Sequence, residues 1–285
     1  AAEESRVRLD IGDAADTDMD IRLAQTKVDY WVPFVLPADA KTVTVRVQKS
    51  LGDALCWKEM KLSDTFDPSH TDKFRPVYHH APLYGWMNNA NGLVYEDEEY
   101  HLYYQYNPYG SKWGNMHWGH SISKDLMHWE HLAPAIVRDT LGHIFSGSSI
   151  VDQENVAGYG TGTILAFYTS ASDKNGQIQC LAYSNDNGRT FTKYDKNPIL
   201  RSSDRRKDFR DPKVFWYAPG NKWIMIVAAD KEMCFYDSED LKDWNYMSSF
   251  GEGYGVQPCQ FECPDMVELP VDGDTEHKKC CLLYT

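Results

Sequence analysis

No stretch of this chain of 285 residues approaches 18 consecutive apolar residues, so no helical membrane span is expected. Basic residues are the minority, 29 Lys and Arg against 42 Asp and Glu, for a formal net charge of −13. Such a surface repels polyanions, which excludes nucleic acid or an anionic bilayer as the main partner and leaves a neutral ligand as the better fit. Cysteine is sparse and unpatterned: seven residues, one adjacent pair (Cys280, Cys281) and no spaced framework, which reads as buried free thiols. Cys259 and Cys263 stand four apart, but no second Cys or His pair completes a zinc set; neither a metal nor a cofactor is expected. The opening Ala1-Ala2-Glu3-Glu4-Ser5 has neither a basic n-region nor an apolar h-region. It reads as a mature secreted, periplasmic or cell-surface protein after signal removal, although a cytoplasmic chain would open no differently.

What the chain does contain is aromatic residues: nine Trp, eighteen Tyr and eleven Phe. They suit half-buried strands, and where exposed they offer flat faces to sugars. Residues 1–72 carry short strand-like segments at Arg6–Ile11, Tyr30–Leu36, Thr42–Val47 and Cys56–Leu62, broken by Asp, Pro and Gly turns, and predict a small all-β domain. Phe66 to Lys73 reads as a linker into a second domain over 73–285.

The second domain repeats itself. Ser123-Lys124-Asp125-Leu126 returns as Ser184-Asn185-Asp186-Asn187 and again as Ser238-Glu239-Asp240-Leu241. The steps between them are 61 and 54 residues. Before each lies an aromatic-rich strand, a turn and another strand: Tyr100–Tyr106 then His117–Ile122, Ile164–Thr169 then Gln179–Tyr183, and Trp223–Ala228 then Met233–Tyr236. Four short strands every fifty to sixty residues, with no helical period, predict propeller blades. The innermost strands then start near Asn91, Phe145, Arg210 and Glu262, and these starts converge at the channel. Asn88, Asn89, Ser146, Arg210, Asp211, Glu262 and Asp265 would rim one pocket. The fourth unit stops within its second strand, giving about three and a half blades, so the sequence is expected to be part of a longer ring.

Paired carboxylates around a neutral-substrate pocket suit glycoside hydrolysis, in which one group attacks or activates water and another protonates the leaving oxygen. Asp211, next to Arg210, is expected to stay ionised, and Glu262, between Phe261 and Cys263-Pro264, is expected to hold a proton.

Trp86-Met87-Asn88-Asn89-Ala90-Asn91-Gly92 resembles the Trp-Met-Asn-Asp-Pro-Asn-Gly box of the glycoside hydrolase family 32 fructosidases, the invertases, inulinases and levanases. Phe209-Arg210-Asp211-Pro212 and Phe261-Glu262-Cys263-Pro264-Asp265 resemble two further boxes of that family, in the same order. The resemblance implies a five-bladed β-propeller and cleavage of β-fructosidic bonds in fructans or sucrose with retention. In that scheme Glu262 is acid/base and Asp211 the transition-state stabiliser. It further implies that Trp86, Asn88, Gln105, Trp113, Phe145, Ser146 and Arg210 line the terminal fructose subsite. The N-terminal segment resembles the accessory domain of fructan hydrolases from gut Bacteroidetes. Levan, inulin and sucrose are not told apart by these boxes, nor exo from endo action, nor is the oligomeric state written in them.

One position departs. Asn89 stands where the family carries its nucleophilic Asp, and Ala90 where it carries Pro. A carboxamide keeps the shape of a carboxylate but is a poor nucleophile, so covalent catalysis is expected to fail while substrate still fits. Asn89 is either a change that traps substrate or the mark of a natural non-catalytic, fructan-binding homologue. A fructosyltransferase is the remaining alternative, since a sugar can replace water in the second step.

Overall fold

A computed structural model describes residues 5–11, 17–49, 51–67, 75–204, 206–251, 253–254 and 260–283. The chain forms two compact units, Ala1–Asn88 with Tyr106–Met116, and Asn89–Gln105 with His117–Thr285. Most of the expected linker, Pro68 to Lys73, lies outside the described residues, as does Cys259.

The first unit holds β1 (Ser5–Ile11), β2 (Thr17–Ile21), β3 (Val43–Val47) and one short helix, α1 (Leu55–Glu59). The strands form an antiparallel sheet in the order β2-β1-β3. Alternation turns Val7 and Leu9 inward beside Met19 and Ile21, where Tyr109 completes a small core. Asn115 extends this sheet with a side chain: it accepts the Asp20 N–H at 2.8 Å and donates to the Asp20 carbonyl at 2.9 Å.

Two expectations for this unit are corrected. Tyr30–Leu36 is not a strand. Pro33 cannot donate to a ladder, and Val32, Phe34 and Leu36 reach the core as a loop instead. Cys56–Leu62 is not a strand either, because its first residues form α1, whose Leu55 and Cys56 amides donate to the carbonyls of Gln25 and Ala24. The strand at Thr17–Ile21 was hidden by its Asp residues, which read as turn formers; Met19 and Ile21 supply the inward face.

Four sheets follow. The first joins β4 (Trp86–Glu96), β5 (Glu99–Asn107), β6 (His117–Ser123) and β7 (Glu130–Ile136) in that order. The second joins β8 (His143–Asp152), β9 (Thr163–Ser172), β10 (Gly176–Ser184) and β11 (Thr192–Lys193). The third joins β12 (Phe209–Tyr217), β13 (Lys222–Ala229), β14 (Glu232–Ser238) and β15 (Asn245–Phe250). The last pairs β16 (Asp265–Val271) with β17 (Asp274–Leu283). These are the expected three and a half blades of an all-β propeller, each strand beside its sequence neighbour.

Blades stack through apolar faces. Tyr103, Trp118 and Ile136 of the first meet Ile144, Tyr168 and Ile178 of the second. Leu165, Phe167 and Leu181 of the second meet Phe209, Val214 and Met225 of the third. Ile224, Ile226 and Met233 of the third meet Phe261, Met266 and Leu282. Each fully buried side chain of this size contributes about 1.5–3 kcal/mol relative to exposure.

The repeated turn explains its sequence. The Ser123 hydroxyl accepts from the Asp125 and Leu126 amides at 3.2 and 2.8 Å and donates to Asp125 Oδ1 at 3.2 Å. Ser238 does the same with Asp240 and Leu241, at 3.2 and 2.9 Å from the amides and 3.1 Å to the carboxylate. Leu126 and Leu241 share φ of 64°, a left-handed conformation that the serine bonds sustain. Blade two uses Ser184 and Asp186 with Asn187 and Gly188 at positive φ.

Between the first two blades a histidine pair is sealed off. His101 Nδ1 and His120 Nε2 lie 3.1 Å apart, both fully buried, and Tyr103 stacks on His120 and donates to the Gly188 carbonyl at 3.2 Å. Burial holds the His120 pKa down, to about 3, with His101 and Arg189 adding to it, and it also lowers that of His101. The unfolded chain takes up these protons below about pH 6.5 whereas the folded chain resists, so folding weakens as pH falls from there toward 3.

Two outcomes follow for stability. The melting temperature should drop by about 4 °C between pH 7 and pH 5, followed by calorimetry, and a His101→Gln/His120→Gln variant should lose most of that slope. Ser238→Ala should cost about 1–2 kcal/mol in urea denaturation, since the buried Leu241 amide loses its acceptor; an unchanged midpoint would contradict the turn assignment.

Candidate functional site

The inner strands of blades two and three are both interrupted at their heads. The β8–β9 register shifts between Ile144 and Gly147, and the β12–β13 register shifts between Arg210 and Lys213. The skipped residues are Phe145 and Ser146 in one blade, Asp211 and Pro212 in the other. Pro212 has no N–H to leave unpaired, which suits it to a bulge. At Gly147 an added Cβ would fall 1.9 Å from the Phe167 carbonyl oxygen, so only glycine lets the strand return to the ladder there.

Asp211 sits at φ of 61°, and its carboxylate is buried. Its amide donates to Thr169 Oγ1 at 3.0 Å, and its Oδ2 accepts the Cys263 N–H at 3.0 Å. Cys263 also has positive φ, 48°, in the bend that precedes β16. Asn89, on β4, donates from Nδ2 to Cys263 Sγ at 3.3 Å. Three sequence-distant positions, 89, 211 and 262–263, thus meet around Cys263.

Arg210 links the rest. Its guanidinium donates to Glu262 Oε1 at 2.7 Å, to Asp208 Oδ1 at 2.6 Å and to Gln177 Oε1 at 3.3 Å. Its Nε lies 3.9 Å from Asp211 Oδ2, at the margin of an ion pair. The surroundings of the two carboxyls differ from those expected. Glu262, expected in apolar company, has its carboxylate half-exposed and paired with Arg210. Asp211, expected to be held ionised by that arginine, is the buried carboxyl; burial raises its pKa, while the Cys263 N–H and Arg210 oppose the rise. The Cys263 thiol is pushed up to about 12 by burial and by the charges of Asp211 and Glu262, so no thiolate is available as a nucleophile.

The other expected residues divide between the units. In the second unit Gln105 is buried and donates to the Ile144 carbonyl at 2.9 Å, Ser146 is buried, and Phe145 is half-buried with its carbonyl held by Trp118 Nε1 at 2.9 Å. Asp265 pairs with Lys213 at 3.0 Å. Trp86, Asn88 and Trp113 belong to the first unit, where Trp86 Nε1 donates to Asn88 Oδ1 at 3.3 Å and Trp113 is exposed. Sequence reasoning missed Thr169, Gln177, Gln179 and Asp208. Their signal was present: Thr169 and Gln179 are polar residues inside otherwise apolar strands. Among the described residues no three His, Cys, Asp or Glu side chains gather as metal ligands, and no helix is long and apolar enough to cross a membrane.

Carboxyl-directed NMR titration should place Asp211 above the ordinary carboxylate range, and Arg210→Gln should move it higher still, because the guanidinium favours the charged form. A value for Asp211 below 3.8, its ordinary pKa, would contradict the burial argument.

Comparison with known proteins bears on the same residues. Residues 79–285 match the glycosyl hydrolases family 32 N-terminal domain, and residues 1–78 match a domain of unknown function, DUF4980. The levanase of Bacillus subtilis (strain 168) is 51% identical over 222 residues, covering 76% of this chain and 32% of that protein. The extracellular exo-inulinase of Aspergillus awamori is 37% identical over 247 residues, covering 77% and 46%. Its crystal structure matches with a TM-score of 0.70 at 36% identity, over 76% of this chain and 47% of that one. The β-fructofuranosidase of Schwanniomyces occidentalis complexed with fructosyl-erythritol matches with a TM-score of 0.68 at 38% identity, over 74% and 42%. The chain therefore spans less than half the length of these relatives. With its blades, its bulged strand heads and its carboxylates gathered at Cys263, the chain belongs to glycosyl hydrolase family 32.

Proposed function

We propose that this chain carries the acid/base and sugar-holding part of a β-fructoside-cleaving site in which the attacking carboxylate is replaced by Asn89. The observation that carries the reading is the meeting of Asn89, Asp211 and Glu262 around Cys263. In the retaining scheme a carboxylate attacks the anomeric carbon from one side while an acid protonates the leaving oxygen from the other, the two roughly 5 Å apart. Glu262 is assigned the acid/base role: its carboxylate is half-exposed and oriented by Arg210 at 2.7 Å. Asp211, buried and fixed at both its amide and its carboxylate, is suited to holding fructosyl hydroxyls rather than to moving protons. Gln105, Phe145, Ser146 and Arg210 are assigned to contacts with the terminal fructose. The substrate class is a fructan (levan or inulin) or sucrose, encountered outside the cytoplasm.

Asn89 decides turnover. Its amide nitrogen donates to the cysteine sulfur, and its oxygen carries no charge with which to form a glycosyl–enzyme bond. This favours a second reading, in which the protein binds fructosides without cleaving them. Removing one member of a catalytic pair costs several kcal/mol at the transition state.

In the whole protein, levan, inulin and sucrose should show little or no release of reducing sugar, and Asn89→Asp should raise the rate by roughly 10³-fold or more. Full activity with Asn89 in place would refute the assignment. An inactive Asn89→Asp protein that still binds fructo-oligosaccharides by isothermal titration would establish the binding role.

A further inference from the structure

We infer that Thr169 and Gln179, two polar side chains buried in the middle strands of the second blade, form a positioning pair that sets the backbone of Asp211 in the neighbouring blade. The inference rests on the reading of Asp211 as the group that holds fructosyl hydroxyls.

Thr169 on β9 and Gln179 on β10 are directly opposed in the ladder, and both are fully buried. Their hydrogen bonds run one way. Gln179 Nε2 donates to the Phe209 carbonyl at 2.7 Å, which leaves Oε1 to accept from the Thr169 hydroxyl at 2.6 Å. With its proton committed, Thr169 Oγ1 presents a lone pair to the Asp211 N–H at 3.0 Å. The relay therefore grips the third blade on both sides of Arg210, at the carbonyl of the residue before and the amide of the residue after.

This is where β12 loses its own ladder. The last paired residue at its head is Arg210, opposite Ala228, and pairing resumes only at Lys213. The Asp211 amide has no strand partner there, and its φ of 61° lies in the left-handed region, uncommon for non-glycine residues and most accessible to Asn and Asp. Thr169 supplies the missing acceptor. A Val at 169 would fill the same space without the desolvation cost of a buried hydroxyl. The polar pair is retained at that cost, and the contact it provides is to the Asp211 backbone. From the far side the Cys263 N–H holds Oδ2, so amide and carboxylate are pinned by different blades.

Thr169→Val and Thr169→Ser test this in the whole protein. Melting temperature and near-UV circular dichroism verify the fold, and isothermal titration with β-2,6- and β-2,1-linked fructo-trisaccharides reads the site. Thr169→Val should bind about tenfold or more weakly, and Thr169→Ser, which keeps the hydroxyl, should bind within about threefold of the unchanged protein. Wild-type affinity in Thr169→Val, or equal loss in both variants, would overturn the inference. Where Thr169→Val does not fold, hydrogen exchange on the unchanged protein decides. The Asp211 amide should be protected on the order of 10²-fold or more, and exchange at the rate of an open amide would overturn the pairing. If the unchanged protein binds neither trisaccharide, the fructoside reading fails by itself, and the exchange measurement still settles whether Thr169 holds Asp211.

Discussion

The site depends on a backbone constraint: two adjacent inner strands abandon their ladders at the same height. A strand running straight through Phe145–Ser146 or Asp211–Pro212 would turn its side chains alternately to the two faces of a blade, and none would gather at the strand head. The bulges at Ile144/Gly147 and Arg210/Lys213 break that alternation. Breaking it releases amides and carbonyls that must be satisfied some other way, and the neighbouring blade supplies the partners. Ser148 shows the same economy one step along: its hydroxyl donates to the Pro212 carbonyl at 2.9 Å and accepts the Val214 N–H at 2.9 Å. The polar seam between blades two and three is thus the counterpart of the apolar one formed by Phe167, Phe209 and Met225.

Charge is arranged on this frame by one guanidinium. Arg210 has a planar fork of donors, and it spreads them over Glu262, Asp208 and Gln177 while its Nε only approaches Asp211. The two carboxyls are therefore treated differently by the same cation: one is paired and open to solvent, the other is buried with a backbone N–H as its nearest donor. Unlike surroundings suit the two carboxyls to different tasks. Position 89 carries a neutral amide turned to the cysteine sulfur.

Much of this was legible in the sequence, for identifiable reasons. The blades announced themselves because a Ser-x-Asp corner needs those side chains at that spacing, and the strands between were apolar and aromatic enough to admit one period. The strand heads were legible because ionisable residues there interrupt apolar runs. The pairing of charges was not, because adjacency along the chain says nothing about facing: Arg210 and Asp211 are neighbours, yet the guanidinium points to Glu262, 52 residues on. Thr169 and Gln179 lay inside strands that already satisfied the pattern, so their polarity passed as incidental. In the first unit Pro33 and the Asp residues of Thr17–Ile21 misled in opposite directions. The Pro sits in an apolar segment that packs without pairing, and the Asp residues sit in a segment that pairs while showing its carboxylates outward.

The Ser-x-Asp corners have a consequence for how such wheels are assembled. In blades one and three the serine and aspartate of the corner draw these bonds from residues within a few positions of themselves. A corner of that kind can be copied, moved or left at a boundary without stranding a donor, whereas the strand heads at the hub bond across blades. Variation is then cheap at the circumference and costly at the centre. Duplicated blades can drift apart at their outer hairpins while the hub keeps the side chains that bond across blades.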